Sequence, residues 1–137
     1  MIVSLHVATG AALGLATRSR AAAVGLGAVA HFLGDRVPHQ DIPNRRFEIW
    51  SGVAALTAVA VRRGPFDAAT LGAAAASAPD LEHVVRLPRP GGRKLFPSHR
   101  IHGWHRSGGL PAWSQLLVAG ILLGIVLAPG PDDEQTL

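Results

Sequence analysis

The sequence predicts an all-α fold, a small polytopic membrane helical bundle of about five helices, from three observations. Apolar residues fill 48% of the 137 positions and charged ones only 16%, with 16 glycines and a mean hydropathy of +0.27. Alanine-rich apolar runs recur between short basic patches, which is the pattern of a chain that folds back and forth across a bilayer. The length allows one domain, expected over residues 1–130, with an acidic and disordered tail over 131–137.

Five apolar segments carry the bundle: Ile2 to Thr17, Ala21 to Gly34, Phe47 to Val61, Ala68 to Ala78 and Leu110 to Ala128. Only the last has the length of a comfortable span, roughly 20 residues for a hydrocarbon core of about 30 Å. The first three reach roughly 21 to 24 Å at 1.5 Å per residue, so they must borrow flanking residues, thin the bilayer or shelter inside the bundle. Gly10, Gly14, Gly25 and Gly27 suit close helix contact. The fourth segment, almost all alanine, is expected to be the most enclosed. The first twenty residues lack the positive region of a signal peptide and place His6 there instead, so they read as a retained helix. A soluble helical bundle is the alternative.

If the segments alternate in direction, the N-terminus, the loop from Asp35 to Arg46 and the loop from Asp80 to Gly109 share one side. That side is the richer in arginine and lysine, which predicts an inner-membrane protein with this face toward the cytoplasm. Trp50, Trp104 and Trp113 lie near helix starts on it, as interfacial tryptophans would. All seven histidines gather there too, giving a His/Asp site at one membrane face. The net charge of +4 comes from basic residues that occur singly or in pairs at the ends of apolar runs. No basic stripe forms along a helix, so nucleic acid is not expected as a partner. With no cysteine, any metal must be held by His, Asp or Glu.

The chain is organised around HFLGDRVPHQD, His31 to Asp41. His31 and Asp35 lie one turn apart on a helix end, and Pro38 stops the helix so that His39 and Asp41 arrive from a turn. Imidazole nitrogen and carboxylate oxygen presented together suit a divalent metal such as zinc. Alternatively, His31 packs in the interior and Asp35 is solvated. His6 is an ionisable group inside an apolar first segment. In SAPDLEHVV, Pro79 opens a turn that puts Asp80 and His83 on one face and Glu82 on another. Glu82 is therefore a general base or an outer partner of a ligand rather than a first ligand. In PSHRIHGWHRSGG, His99, His102 and His105 recur every third residue with Arg100 and Arg106 between them, for metal and phosphate or for lipid head groups.

The early His, PDLEH and the later HR segment together resemble the membrane-bound metal-dependent hydrolases, also described as LexA-regulated inner-membrane-associated hydrolases. That family's PDxDH and HRGxTHS motifs are similar to Pro79 to His83 and His99 to Ser107, with Glu82 in place of an Asp and a wider spacing between His99 and His105. HFLGD also resembles the HYxGD motif of zinc-dependent phospholipase C and related zinc nucleases, which implies His31 and Asp35 as metal ligands and His39 as the downstream histidine. The expectation is a metal-dependent, zinc-type hydrolase of a phosphoester, with lipid as one substrate and partner. His6, His31, Asp35, His39, Asp80, His83, His99, His102 and His105 are the metal-ligand candidates. Glu82 or Asp41 takes the proton, and Arg100 or Arg106 holds the phosphate. The alternative is a non-enzymatic metal-binding or lipid-docking protein.

Overall fold

The computed structural model describes residues 1–129, and the acidic tail expected over 131–137 lies outside them. The described residues form α1 (Val3–Thr17), α2 (Arg20–Gly34), α3 (Arg45–Arg63), α4 (Ala68–Ser77), the single turns α5 (Leu81–Val84) and α6 (Pro97–Arg100), and α7 (Ala112–Leu127). Local chemistry sets the starts: the side chains of Ser19, Asn44 and Asp67 accept from the backbone N–H groups of Ala22, Phe47 and Ala69. Arg18, at a φ of 53°, turns the chain sharply from α1 into α2.

Small residues let the helices approach closely. A Cβ on Gly10 would collide with the carbonyl of Gly72, and one on Gly14 with that of Ala68, so α1 and α4 pack backbone to backbone. Gly27 of α2 meets Gly72 from another side, which puts α4 at the centre of the bundle as the alanine-rich segment leads one to expect. The core is mostly alanine and valine: Val7, Ala11, Ala55, Val59, Ala69, Ala73 and Val126. Many larger apolar side chains face outward, among them Val29, Leu33, Val53, Leu117, Ile121 and Ile125.

Contacts at the two ends give the directions. At one end Gly14 of α1 meets Ala68 of α4, and Arg63 of α3 donates to the Val126 carbonyl of α7 at 2.7 Å. At the other, the Met1 nitrogen reaches Asp35, His31 reaches the Ala76 carbonyl, and Gln115 accepts from the backbone of Ile2. The start of α1, the ends of α2 and α4 and the start of α7 therefore share that end, and the loops after α2 and α4 close over it.

The membrane-spanning part of the expectation is overturned. None of the described helices is long and apolar enough to cross a membrane. The most apolar, α7, has 16 residues, and at 1.5 Å per residue it reaches about 24 Å against a core of about 30 Å. The longest, α3, has 19 residues but carries Arg45, Arg46, Glu48, Arg62 and Arg63. A polytopic membrane bundle, transmembrane helices and an inner-membrane location with the site facing the cytoplasm are thus unsupported: short apolar runs were read as spans, and the loop-charge rule has no spans to orient. The tryptophans differ among themselves. Trp50 and Trp113 are each 68% exposed, whereas Trp104 stacks on Phe32 and donates to its carbonyl at 2.7 Å.

Candidate metal centre

Asp35 is the hub. It follows Gly34 at the C-terminus of α2, where the helix gives way to a turn before Pro38, and its carboxylate is buried. One oxygen, Oδ1, lies 3.2 Å from Nε2 of His6 and 3.1 Å from the Met1 nitrogen. The other, Oδ2, lies 3.1 Å from Nε2 of His31 and 3.5 Å from Nε2 of His99. His6 enters from the first turns of α1, His31 from the last turn of α2, and His99 from α6, so three helices converge on one acid.

The tautomers follow from the far side of each ring. His31 Nδ1 donates to the Ala76 carbonyl at 2.8 Å, and His99 Nδ1 donates to Oε1 of Glu82 at 2.5 Å. In neutral rings both Nε2 atoms then carry lone pairs directed at Asp35. Glu82 is buried and its second oxygen accepts from the backbone N–H of Leu95 at 2.8 Å, so both oxygens are engaged. A carboxylate that holds the back of an imidazole in this way fixes the ring as a metal ligand. Asp80 and His83, from the turn after α4 and from α5, complete the group: His99 Nε2 is 3.9 Å from Asp80 Oδ1 and 3.4 Å from His83 Nε2.

These distances match a coordination sphere. Ligands about 2.1 Å from a tetrahedral zinc lie about 3.4 Å from each other, close to the separations around Asp35 and His99. Three side-chain atoms of the group, His31 Nε2, Asp35 Oδ2 and Asp80 Oδ2, are buried without a hydrogen-bond partner. Buried polar atoms are ordinarily paired. Several His and Asp groups here can hold a metal ion: His6 with His31 and Asp80, His31 with Asp35 and His99, Asp80 with His83 and His99, and, further out, His39 with Asp41 and His105.

Electrostatics keep most of the centre ready for a cation. Burial pushes the His6 pKa down to about 3, and burial with the His99 and Lys94 charges pushes His83 down to about 4, leaving both rings neutral at pH 7. For Asp35 burial opposes ionisation, but the imidazoles of His31, His6 and His99 gathered round it outweigh that and hold the carboxyl well below the usual range. Asp80 goes the other way: burial, with the Asp35 charge, raises it to about 6. Burial disfavours the charge on His99, yet its bonds to Asp35 and Glu82 raise its pKa above the ordinary value.

A cavity of about 630 Å³ opens beside the group, lined by Asp35, Asp80, His83, His99 and His102 and also by Asp41 and His105. Its wall also holds Arg45, Lys94 and Glu48. Sequence reading missed these three; Arg45 and Glu48 open α3 in the same His-bearing face of the bundle, which is the signal that could have found them. Arg45 donates to the His83 carbonyl, tying α3 to the centre. Of the expected residues, His102 lines the cavity but belongs to none of the metal-sized groups among the described residues, and Arg100 lines a neighbouring hollow of about 520 Å³. Arg106 contributes its backbone carbonyl to His39 and lines neither space. No family model, curated protein or solved structure matches the chain, so the reading of this centre rests on its own geometry.

Proposed function

We propose that the protein is a metal-dependent hydrolase of a phosphoester, with zinc at the centre built from His6, His31, Asp35, Asp80, His83 and His99. The observation that carries this reading is the set of three unpartnered buried atoms, His31 Nε2, Asp35 Oδ2 and Asp80 Oδ2, on residues that belong to overlapping trios of donors close enough to hold an ion. Zinc held by these residues would supply a water of lowered pKa beside an open cavity. Glu48, a cavity carboxyl outside the ligand set whose pKa burial and the Asp41 charge raise, is the group placed to hold or move a proton there. Glu82, with both oxygens engaged, positions His99. Arg45 and Lys94 offer cationic donors to phosphate oxygens where Arg100 and Arg106 do not. Val3, Ile49, Val84 and Ile101 on the cavity wall favour a phosphoester that carries an apolar group, as a lipid does.

Metal analysis of the purified protein, followed by assay on a chromogenic phosphodiester with and without chelator, tests the reading. Bound metal and chelator-sensitive hydrolysis are expected. No stoichiometric metal in the wild type, with content unchanged in Asp35→Ala, would overturn it.

A further inference from the structure

Two histidines and an acid that the proposed centre does not use form a group of their own. His39 comes from the turn after α2, Asp41 from two residues later, and His105 from the loop between α6 and α7. His39 is 1% exposed, and its Nδ1 donates to the Val37 carbonyl at 2.6 Å. That bond puts the lone pair of the neutral ring on Nε2, which faces His105 Nε2 at 3.0 Å and Asp41 Oδ1 at 3.3 Å. A proton on His105 can answer the first approach. The lone pair also meets the Met1 ammonium, so an incoming cation would take the place of a positive group already held there.

The backbone holds this geometry without help from the side chains. His39 N donates to the Arg106 carbonyl at 3.2 Å, Gln40 N to the Leu110 carbonyl at 2.9 Å, and Leu110 N to the Pro38 carbonyl at 3.0 Å. Gly109, at a φ of +72°, lies against Pro38, where a Cβ would collide with its carbonyl. The segments that carry His39 and His105 are therefore clamped side by side, and their rings meet edge to face at 4.5 Å. The group also attracts positive charge: the Met1 nitrogen lies 2.5 Å from His39 Nε2 and 3.1 Å from Asp35 Oδ1.

We propose that His39, Asp41 and His105 bind a second divalent cation, of the class that takes imidazole and carboxylate ligands, at the open rim of the cavity. Three protein ligands leave positions free for water or substrate, the arrangement of a catalytic rather than a structural site. Asp41 is 61% exposed, so this ion exchanges more readily than the inner one. Asp35 stands between the two groups, with Oδ2 toward His31 and His99 and Oδ1 toward the nitrogen that also meets His39. Both groups face the same cavity, so the two ions would flank one substrate oxygen cluster, a role that rests on the hydrolase reading; the binding itself does not.

The full chain, stripped of metal, is titrated with Co²⁺ alone and followed by visible absorption and calorimetry. The wild type is expected to take up about two equivalents in a tight and a weaker phase. His105→Ala removes the weaker phase and leaves the tight one, His31→Ala does the reverse, and circular dichroism confirms that each variant keeps its helices. Should His105→Ala unfold, Asp41→Asn at an exposed position decides instead, with the weaker phase reduced at least tenfold. About one equivalent in the wild type, unchanged in His105→Ala or Asp41→Asn, overturns the second site and leaves the inner centre standing. No stoichiometric uptake in the wild type overturns both.

Discussion

Nε2 of His31 stands 3.1 Å from Oδ2 of Asp35, one helical turn further on, and neither atom has a hydrogen-bond partner. With Nδ1 committed to the Ala76 carbonyl, a neutral His31 turns a lone pair toward a carboxylate. Two buried acceptors at that distance repel unless a proton or a cation joins them. Asp35→Asn replaces an anionic ligand by a neutral one of the same shape. It is expected to weaken zinc binding by more than about 100-fold, beyond the loss from most outer partners, with little change in helix content. Competition against a chromogenic chelator measures it.

Glu82 touches the centre through His99, so its removal acts at second hand. Glu82→Gln keeps the side-chain volume and loses the charge that holds His99 Nδ1. Metal affinity is expected to fall about 10- to 100-fold while stoichiometry is unchanged. Calorimetric titration separates these outcomes, and loss of a whole equivalent would make Glu82 a ligand.

Affinity should also depend on pH. Asp80, raised to about 6 by burial, and His99, raised by its bonds to Asp35 and Glu82, hold protons that a metal must displace. Below these pKa values the ligands are protonated, so binding weakens as pH falls from 7.5 through 6 and strengthens as it rises. Proton release into weakly buffered solution on adding zinc checks the sign. His6 and His83, pushed down to about 3 and 4, do not contribute in this window.

Metal and stability are linked. An ion that binds only the folded chain stabilises it by about 2.7 kcal/mol at a concentration 100 times its Kd. Adding zinc to the stripped protein is therefore expected to raise Tm, and Asp35→Asn to abolish most of the rise. Differential scanning calorimetry at constant pH reads both.

The helix contact beneath the centre is tested separately. Gly72→Ala would drive a Cβ into the Gly10 carbonyl, forcing α1 and α4 apart. A loss of about 1 to 3 kcal/mol is expected, as for other overpacked contacts. Gly25→Ala, where a Cβ meets nothing, should leave stability unchanged or slightly raised. Urea denaturation of the two variants compares them directly.

The helices, and the end of the bundle at which the His and Asp residues gather, were legible in the order of residues alone. Apolar runs and Pro38 placed α1 to α4 and α7 within a few residues, and alternation of direction brought His6, His31, Asp35, Asp80, His83 and His99 to one end. Spacing could not say what surrounds a helix: apolar runs of 15 or 16 residues look alike whether they cross lipid or pack on alanine and glycine, and length decided against crossing. Folding settled which histidines come within metal-binding distance of one another and which, like His102, do not among the described residues. It also put Glu82 behind His99 and set Arg45 and Lys94 in the cavity in place of Arg100 and Arg106. The reason is geometric. A ligand set depends on tenths of an ångström between residues far apart in the chain, and those distances come from how closely Gly10 and Gly72 let the helices pack and from how the loops after α2 and α4 are clamped together.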